Sequence, residues 1–191
     1  MVIAAVSEAL RRILWEQFNL DNQIRPIVGS EAAIVFRNPT ETARDSANRL
    51  SLWLYQITEN EFMKNQPMVP SNGQDRLQFP SLRLNFFYLV TPFAPTGEGD
   101  HMLLGKTMQV LYDNATVFLR DNDVVEELRI ILCRLTLEEL TRIWDALREP
   151  YRLSVCYQVR VTSIDSQRIP GHARVIERIA GFGQQPTITT E

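Results

Sequence analysis

Apolar positions in residues 2–18 fall at three- and four-residue steps. Ile3, Val6, Leu10, Ile13, Leu14 and Phe18 therefore share one face of an amphipathic helix. Its own domain is the expected cover. The period then changes. AAIVF (32–36) reads as a short strand ending at the turn signal Arg37-Asn38-Pro39-Thr40. LSLWLYQI (50–57) is apolar on both faces, with Leu50, Leu52 and Leu54 alternating with Trp53, Tyr55 and Ile57. A strand of that kind is covered on both sides, and one cover can be another subunit.

Residues 59–80 form a long polar connection with three prolines and Asn72-Gly73, a length associated with function or movement. SLRLNFFYLVT (81–91) follows as a long strand. Leu82, Leu84, Phe86, Tyr88 and Val90 line one face, and Arg83, Asn85, Phe87 and Leu89 the other. Leu104, Met108, Leu111, Ala115 and Phe118 mark one face of a central helix. Asp121-Asn122-Asp123 makes a turn. VEELRIILCRL (125–135) leaves helix and strand both open, with Leu128, Ile130 and Leu132 alternating as in a strand. Thr136 and Glu139 make a capping box that starts a helix over 137–147, with Leu137, Leu140, Ile143, Trp144 and Leu147 as its buried face. LSVCYQVRVTSI (153–164) alternates as a strand, with Leu153, Val155, Tyr157, Val159 and Val161 inward.

These elements predict an α+β fold in a single domain, residues 1–165. A mixed or antiparallel sheet is packed by an N-terminal amphipathic helix, a central helix and a short third helix. Residues 166–191 read as a polar C-terminal extension. The length of 191 residues suits one domain with a real core, and 45% hydrophobic with 23% charged residues is ordinary for a globular protein. A net charge of −3 supplies no basic footprint for nucleic acid. No signal peptide or membrane-spanning run is expected, since Glu8, Arg11 and Arg12 interrupt the first apolar stretch.

One stretch invites a chemical reading. TGEGDHMLLGKT (96–107) approaches the phosphate-cradling loop G-x-x-x-x-G-K-[ST]. Asp100, however, stands where the motif needs glycine, and Gly99 is one residue too early. Met102, Leu103 and Leu104 are bulky, and Glu98 and Asp100 would repel a phosphate. The expected structure is a loop punctuated by Gly97 and Gly99, a helix capped by Asp100, and a solvated Lys106. The runner-up, a nucleotide-dependent enzyme, would lose binding in Lys106→Ala. His101 and His172 lack the partners of a zinc site or a nucleophilic triad. Cys133 and Cys156, which sit in apolar segments without a CxxC partner, read as two reduced core thiols of a cytosolic protein in preference to a disulfide. Glu138 and Glu139 sit in a first helical turn, where the helix dipole favours acids. Arg168, Arg174 and Arg178, diluted by Asp165 and Glu177, suit protein contact better than nucleic acid. The residues thus point to a binding or structural domain, not an enzyme, with no catalytic, cofactor or metal residues.

The order of segments adds a resemblance. After the N-terminal helix come LSLWLYQITENEFMKN, PSLRLNFFYLVTPFA, DHMLLGKTMQVLYDN, LTLEELTRIWDAL and YRLSVCYQVRV. Over residues 3–165 this resembles the cap, or tail-terminator, proteins of phage-tail-like contractile injection systems of the antifeeding-prophage and Photorhabdus virulence cassette type. The resemblance implies a structural protein without catalysis or cofactor. It implies a ring, expected to be hexameric, at the end distal to the baseplate, where it terminates the inner tube and sheath. Its partners would be other copies of itself, the inner tube protein and the sheath protein, with membrane contact only through another component. Assembly in the bacterial cytoplasm, followed by release or tethering with the particle, is implied likewise. Trp53, Tyr55, Arg168, Arg174 and Arg178 are the candidate contact residues, and the 59–80 connection and the tail are candidate contact segments. A monomeric adaptor or chaperone for a particle component is the alternative.

Overall fold

The computed structural model describes residues 2–60, 69–70, 77–78, 82–121 and 124–164. Helix α1, Val2–Leu20, forms as its periodicity predicts and buries Val6, Leu10, Leu14 and Phe18. Asp21 ends it. The Asp21 carboxylate accepts from the backbone N–H of Gln23 at 2.9 Å and of Ile24 at 3.2 Å, turning the chain into the single-turn α2, Arg25–Val28. AAIVF is only partly a strand. Glu31–Ala33 is a 3-10 turn, and β1 is confined to Ile34–Val35. The expected turn at residues 37–40 is instead the start of a short helix, α3, Pro39–Ala43. Asn38 caps it by accepting from Glu41 N–H at 2.8 Å, and proline occupies the first turn, where no N–H is needed.

The remaining strands are β2 (Leu50–Glu59), β3 (Val69–Pro70), β4 (Leu77–Gln78), β5 (Leu82–Pro92), β6 (Thr116–Asp121), β7 (Val124–Leu132) and β8 (Val155–Ile164). Two helices lie between them: α4 (Gly97–Asp113) and α5 (Leu137–Leu147). The main sheet has the order β1-β2-β5-β8-β7-β6. β1 runs parallel to β2, and every other pairing is antiparallel, so the sheet is mixed. β3 and β4 pair separately inside the long polar connection.

One sheet face carries the core. Rows running across the strands, such as Leu54, Tyr88 and Tyr157, or Phe86, Val159 and Ile130, meet α1 and α4 there. Phe18, Phe86, Leu14 and Leu103 are completely buried. Each such side chain contributes about 1.5–3 kcal/mol when removed from water. The hydroxyls of Ser7 on α1 and Tyr88 on β5 share a buried hydrogen bond of 2.8 Å that ties the helix to this face.

Several expectations give way to the geometry. A bulge between Leu54 and Gln56 shifts the alternation of β2, so Ile57 pairs with Phe86 and belongs to the core side, at an edge where it is 42% exposed. The central helix ends at Asp113, so Ala115 and Phe118 are not on it. Phe118 lies on β6 and is exposed. β7 resolves the open reading of 125–135 as a strand. It pairs antiparallel with β6, and residues 122–123 of the expected Asp121-Asn122-Asp123 turn lie outside the described residues. Leu153 precedes β8 and is exposed. On α5, only Trp144 of the predicted face is buried; Leu140, Ile143 and Leu147 are half-buried, and Leu137 is 66% exposed.

Candidate functional site

Helix α4 begins differently from expectation. Thr96 is its cap, accepting from Gly99 N–H at 3.0 Å, and Gly97 and Gly99 lie within the helix. Gly99 is there because space is short: a Cβ would stand 2.9 Å from Ala94 Cβ. Asp100 turns back instead of capping. Its Oδ1 accepts from Ala94 N–H at 2.7 Å, and its Oδ2 lies 3.4 Å from the Arg152 guanidinium. Lys106 is not simply solvated, since Nζ pairs with Asp21 Oδ2 at 3.1 Å. The Gln23 N–H and Lys106 together hold the Asp21 carboxyl below its usual range. Residues 97–107 are thus a helix in which Thr96 takes the Gly99 N–H through its side chain and the Asp100 N–H through its carbonyl, and Lys106 is tied to the end of α1. His101 is exposed on this helix, and His172 lies outside the described residues.

The second face of the sheet is the more informative surface. Trp53, Leu89 and Cys156 form a row across β2, β5 and β8. Phe87 and Gln158 continue in the next row, with Ile131 on β7. Asn85, Arg160 and Arg129 form the last row. The face therefore grades from apolar to polar. Trp53 and Tyr55 are half-buried; their rings lie 5.9 Å apart, and Tyr55 lies 6.4 Å from Phe87. Such tilted pairs fix ring orientation. Tyr55 Oη meets Cys156 Sγ at 3.2 Å, and burial, then that hydrogen bond, push its hydroxyl pKa up.

Helix α5 lies in the connection between β7 and β8. Its capping box is formed as predicted: Glu139 N–H donates to Thr136 Oγ1, and Glu139 Oε2 accepts from Thr136 N–H. Trp144 anchors the helix, donating Nε1–H to Ser154 Oγ at 3.2 Å and meeting Tyr151 edge-on at 6.3 Å. A cleft of about 220 Å³ opens beside it, lined by Pro39, Thr40, Phe93, Trp144, Pro150 and Arg152, with Arg152 4.6 Å over the Phe93 ring. A wider groove, about 540 Å³, runs between α1 and β6 along Ala5, Ala9, Arg12 and Phe118. Among the described residues, no group of three or more His, Cys, Asp or Glu is placed to hold a metal ion, and no helix is long and apolar enough to cross a membrane.

Of the candidate contact residues, the structure brings Trp53 and Tyr55 together. Arg168, Arg174 and Arg178 lie outside the described residues. Sequence reasoning missed Arg152, Phe93 and the α3 end of the cleft. The signal for α3 was present in Asn38-Pro39.

Comparison with known proteins settles the family. Residues 5–178 match the Pvc16 N-terminal domain. The chain belongs to the Pvc16 N-terminal domain family. The fold is similar to that of a structure described as the sheath/tube terminator of an extracellular contractile injection system, PVC, in its extended state. The TM-score is 0.64 at 17% identity, over 99% of this chain and 66% of that one. It is also similar to the tube-terminating cap of the anti-feeding prophage, with TM-score 0.52 and 17% identity, over 90% of this chain and 58% of that one. The chain thus spans under two thirds of the length of each. No curated protein matches it. The expectation of a cap or terminator family, drawn from the order of segments, agrees with these findings, as does the expected α+β architecture.

Proposed function

We propose that this Pvc16 N-terminal domain protein is a structural cap of a contractile injection system. It assembles as a hexameric ring at the end of the particle distal to the baseplate, where it terminates inner tube and sheath. The observation that carries this reading is the family match over residues 5–178. The terminator and cap titles of the two similar structures support it. The protein works by binding, without catalysis. Residues 1–165 form the cap domain and 166–191 a polar extension. The cap is built in the bacterial cytoplasm and leaves or is tethered with the particle.

The contacts are with other copies of the chain, with tube protein and with sheath protein. The half-open second face of the sheet, with Trp53 and Tyr55, supports a role in these contacts, because an aromatic run left half covered remains available to a neighbour. Arg168, Arg174 and Arg178, with the 59–80 connection, supply the remaining contact groups in this proposal.

The test is light scattering of the purified protein alone and with tube protein, followed by negative-stain imaging. A six-fold ring seated on tube ends is the expected result. A monomer that binds neither tube nor sheath ends overturns the reading.

A further inference from the structure

The two cysteines are neighbours in space. β7 and β8 pair in a register that ends at Leu132 opposite Tyr157, and this places Cys133 opposite Cys156. Cys133 N–H donates to the Cys156 carbonyl at 2.8 Å. That bond marks a hydrogen-bonded pair, whose Cα atoms stand about 5.5 Å apart, inside the roughly 4.4–6.8 Å that disulfides span; the Cβ atoms, about 5.5 Å apart against about 3.5–4.5 Å in a disulfide, must close by about 1 Å, so the strands shift locally to bring the sulfurs together. Both are free thiols. Cys133 is half-buried and within reach of solvent, while Cys156 is buried at 2% exposure. Tyr55 Oη lies 3.2 Å from Cys156 Sγ.

We propose that Cys133 and Cys156 are a redox pair that closes into a cross-strand disulfide, with a small-molecule disulfide such as oxidised glutathione as oxidant. Cys133 is the attacking sulfur and Cys156 the resolving one. The Cys133 thiolate attacks one sulfur of glutathione disulfide. A protein–glutathione bond forms and one glutathione thiolate leaves. The Cys156 thiolate then attacks Cys133 Sγ and displaces the second glutathione thiolate. The protein loses two electrons and two protons, and one glutathione disulfide becomes two thiols. Two features set the order of attack. Cys133 is the accessible thiol, and the neighbouring Cys156 thiol holds its pKa below the usual thiol range. Cys156 is pushed up by the Cys133 thiol and by burial, and the Tyr55 hydroxyl partly offsets this by donating to its sulfur.

The bond would close a loop from residue 133 to residue 156 that contains the whole of α5. That helix buries only Trp144. Oxidation therefore fastens both ends of the excursion carrying the half-open α5 surface, while the α1 face is untouched. The inference does not depend on the terminator reading.

The experiment equilibrates the full chain with oxidised glutathione at mildly alkaline pH and reads thiol alkylation, intact mass and Tm. The expected result is loss of both alkylatable thiols, a mass lower by two hydrogens, and a Tm higher by roughly 5–10 °C that dithiothreitol reverses. Cys133→Ser and Cys156→Ser each abolish the shift, and Cys156→Ser stops at a glutathione adduct on Cys133. Tyr55→Phe closes more slowly, and an unchanged rate removes Tyr55 from the proposal. Wild-type protein that keeps both thiols alkylatable, that stops at the glutathione adduct, or that cross-links between chains overturns the pair whatever the variants do.

Discussion

Helices α1 and α5 are both amphipathic, and they are covered very differently. α1 sinks Val6, Leu10, Leu14 and Phe18 into the sheet's core face. α5 sinks Trp144 alone and leaves Leu137 66% exposed. A stripe of apolar residues fixes which side of a helix avoids water, but not what meets it. At Leu137–Leu147, α5 is near the length at which an isolated helix is marginal. Its capping box, its Trp144 anchor and the left-handed Arg148 at its end hold it in place, where α1 relies on a packed stripe.

The comparison is broken most directly on the core face. Phe86→Ala is expected to cost about 3–5 kcal/mol, read from denaturant unfolding. A cost below about 1 kcal/mol would mean that this face is not the core. Trp144→Ala should cost about 2 kcal/mol in global stability, less than such a substitution costs in a closed core, because α5 can open while the sheet stays intact. Hydrogen exchange should show α5 amides losing protection while those of α1 and β5 keep theirs. Simultaneous loss everywhere would join the two faces into one unit.

Two glycines of α4 sharpen the picture with opposite signs. Gly99→Ala places a Cβ 2.9 Å from Ala94 Cβ and should destabilise by about 1 kcal/mol. At Gly105 a Cβ meets nothing within 4 Å, so Gly105→Ala should stabilise by about 0.5–1 kcal/mol through helix propensity. Thermal unfolding of both variants tests the pair, and a Gly99→Ala variant as stable as Gly105→Ala would deny the close approach.

A smaller effect is expected at the tie between α1 and α4. The folded Asp21 carboxyl titrates below its ordinary value, so its contribution is present above the unfolded carboxylate pKa, about 3.9, and is lost as pH falls through the lower folded value. Asp21→Asn should cost less than about 1 kcal/mol near neutrality and nothing in strong acid. A cost that grows on acidification would reverse that sign. The smallest change is on the open helix. Leu137→Ser should stay within about 0.5 kcal/mol of wild type in unfolding, yet weaken ring or tube association if α5 faces a neighbour. A large loss of stability would mean that Leu137 is already covered within the chain.

Much of the architecture was legible because local chemistry and tertiary packing agree. The Thr136–Glu139 box, the α1 stripe and the Phe86-Tyr88-Val90 face each appear where their periods place them. The misses have definite causes. Asn38-Pro39 signals a turn and a helix start equally well, and the helix prevailed. The helical period ran on by coincidence through Ala115 and Phe118, which hid β6. The bulge at Tyr55 moved Ile57 to the other face, an insertion that alternation alone cannot locate. Lys106 looked solvated because its partner, Asp21, is far away in sequence. The candidate contact surface was legible only as Trp53 and Tyr55 on a strand apolar on both faces, because residues that meet a different surface carry no self-complementary pattern.

The position of β8 has a consequence in time. It is the last strand of the sheet to be synthesised, yet it lies between β5 and β7. Until residue 164 has left the ribosome, β5 has one edge unpaired, and the β6–β7 hairpin has no route into the sheet. The nascent chain must therefore carry two part-sheets, one built on β2 and β5 and one on β6 and β7, that join only when the final strand slots between them. Folding is thus expected to be paced by these long-range pairings and to be slower than that of a helical bundle, whose contacts are local.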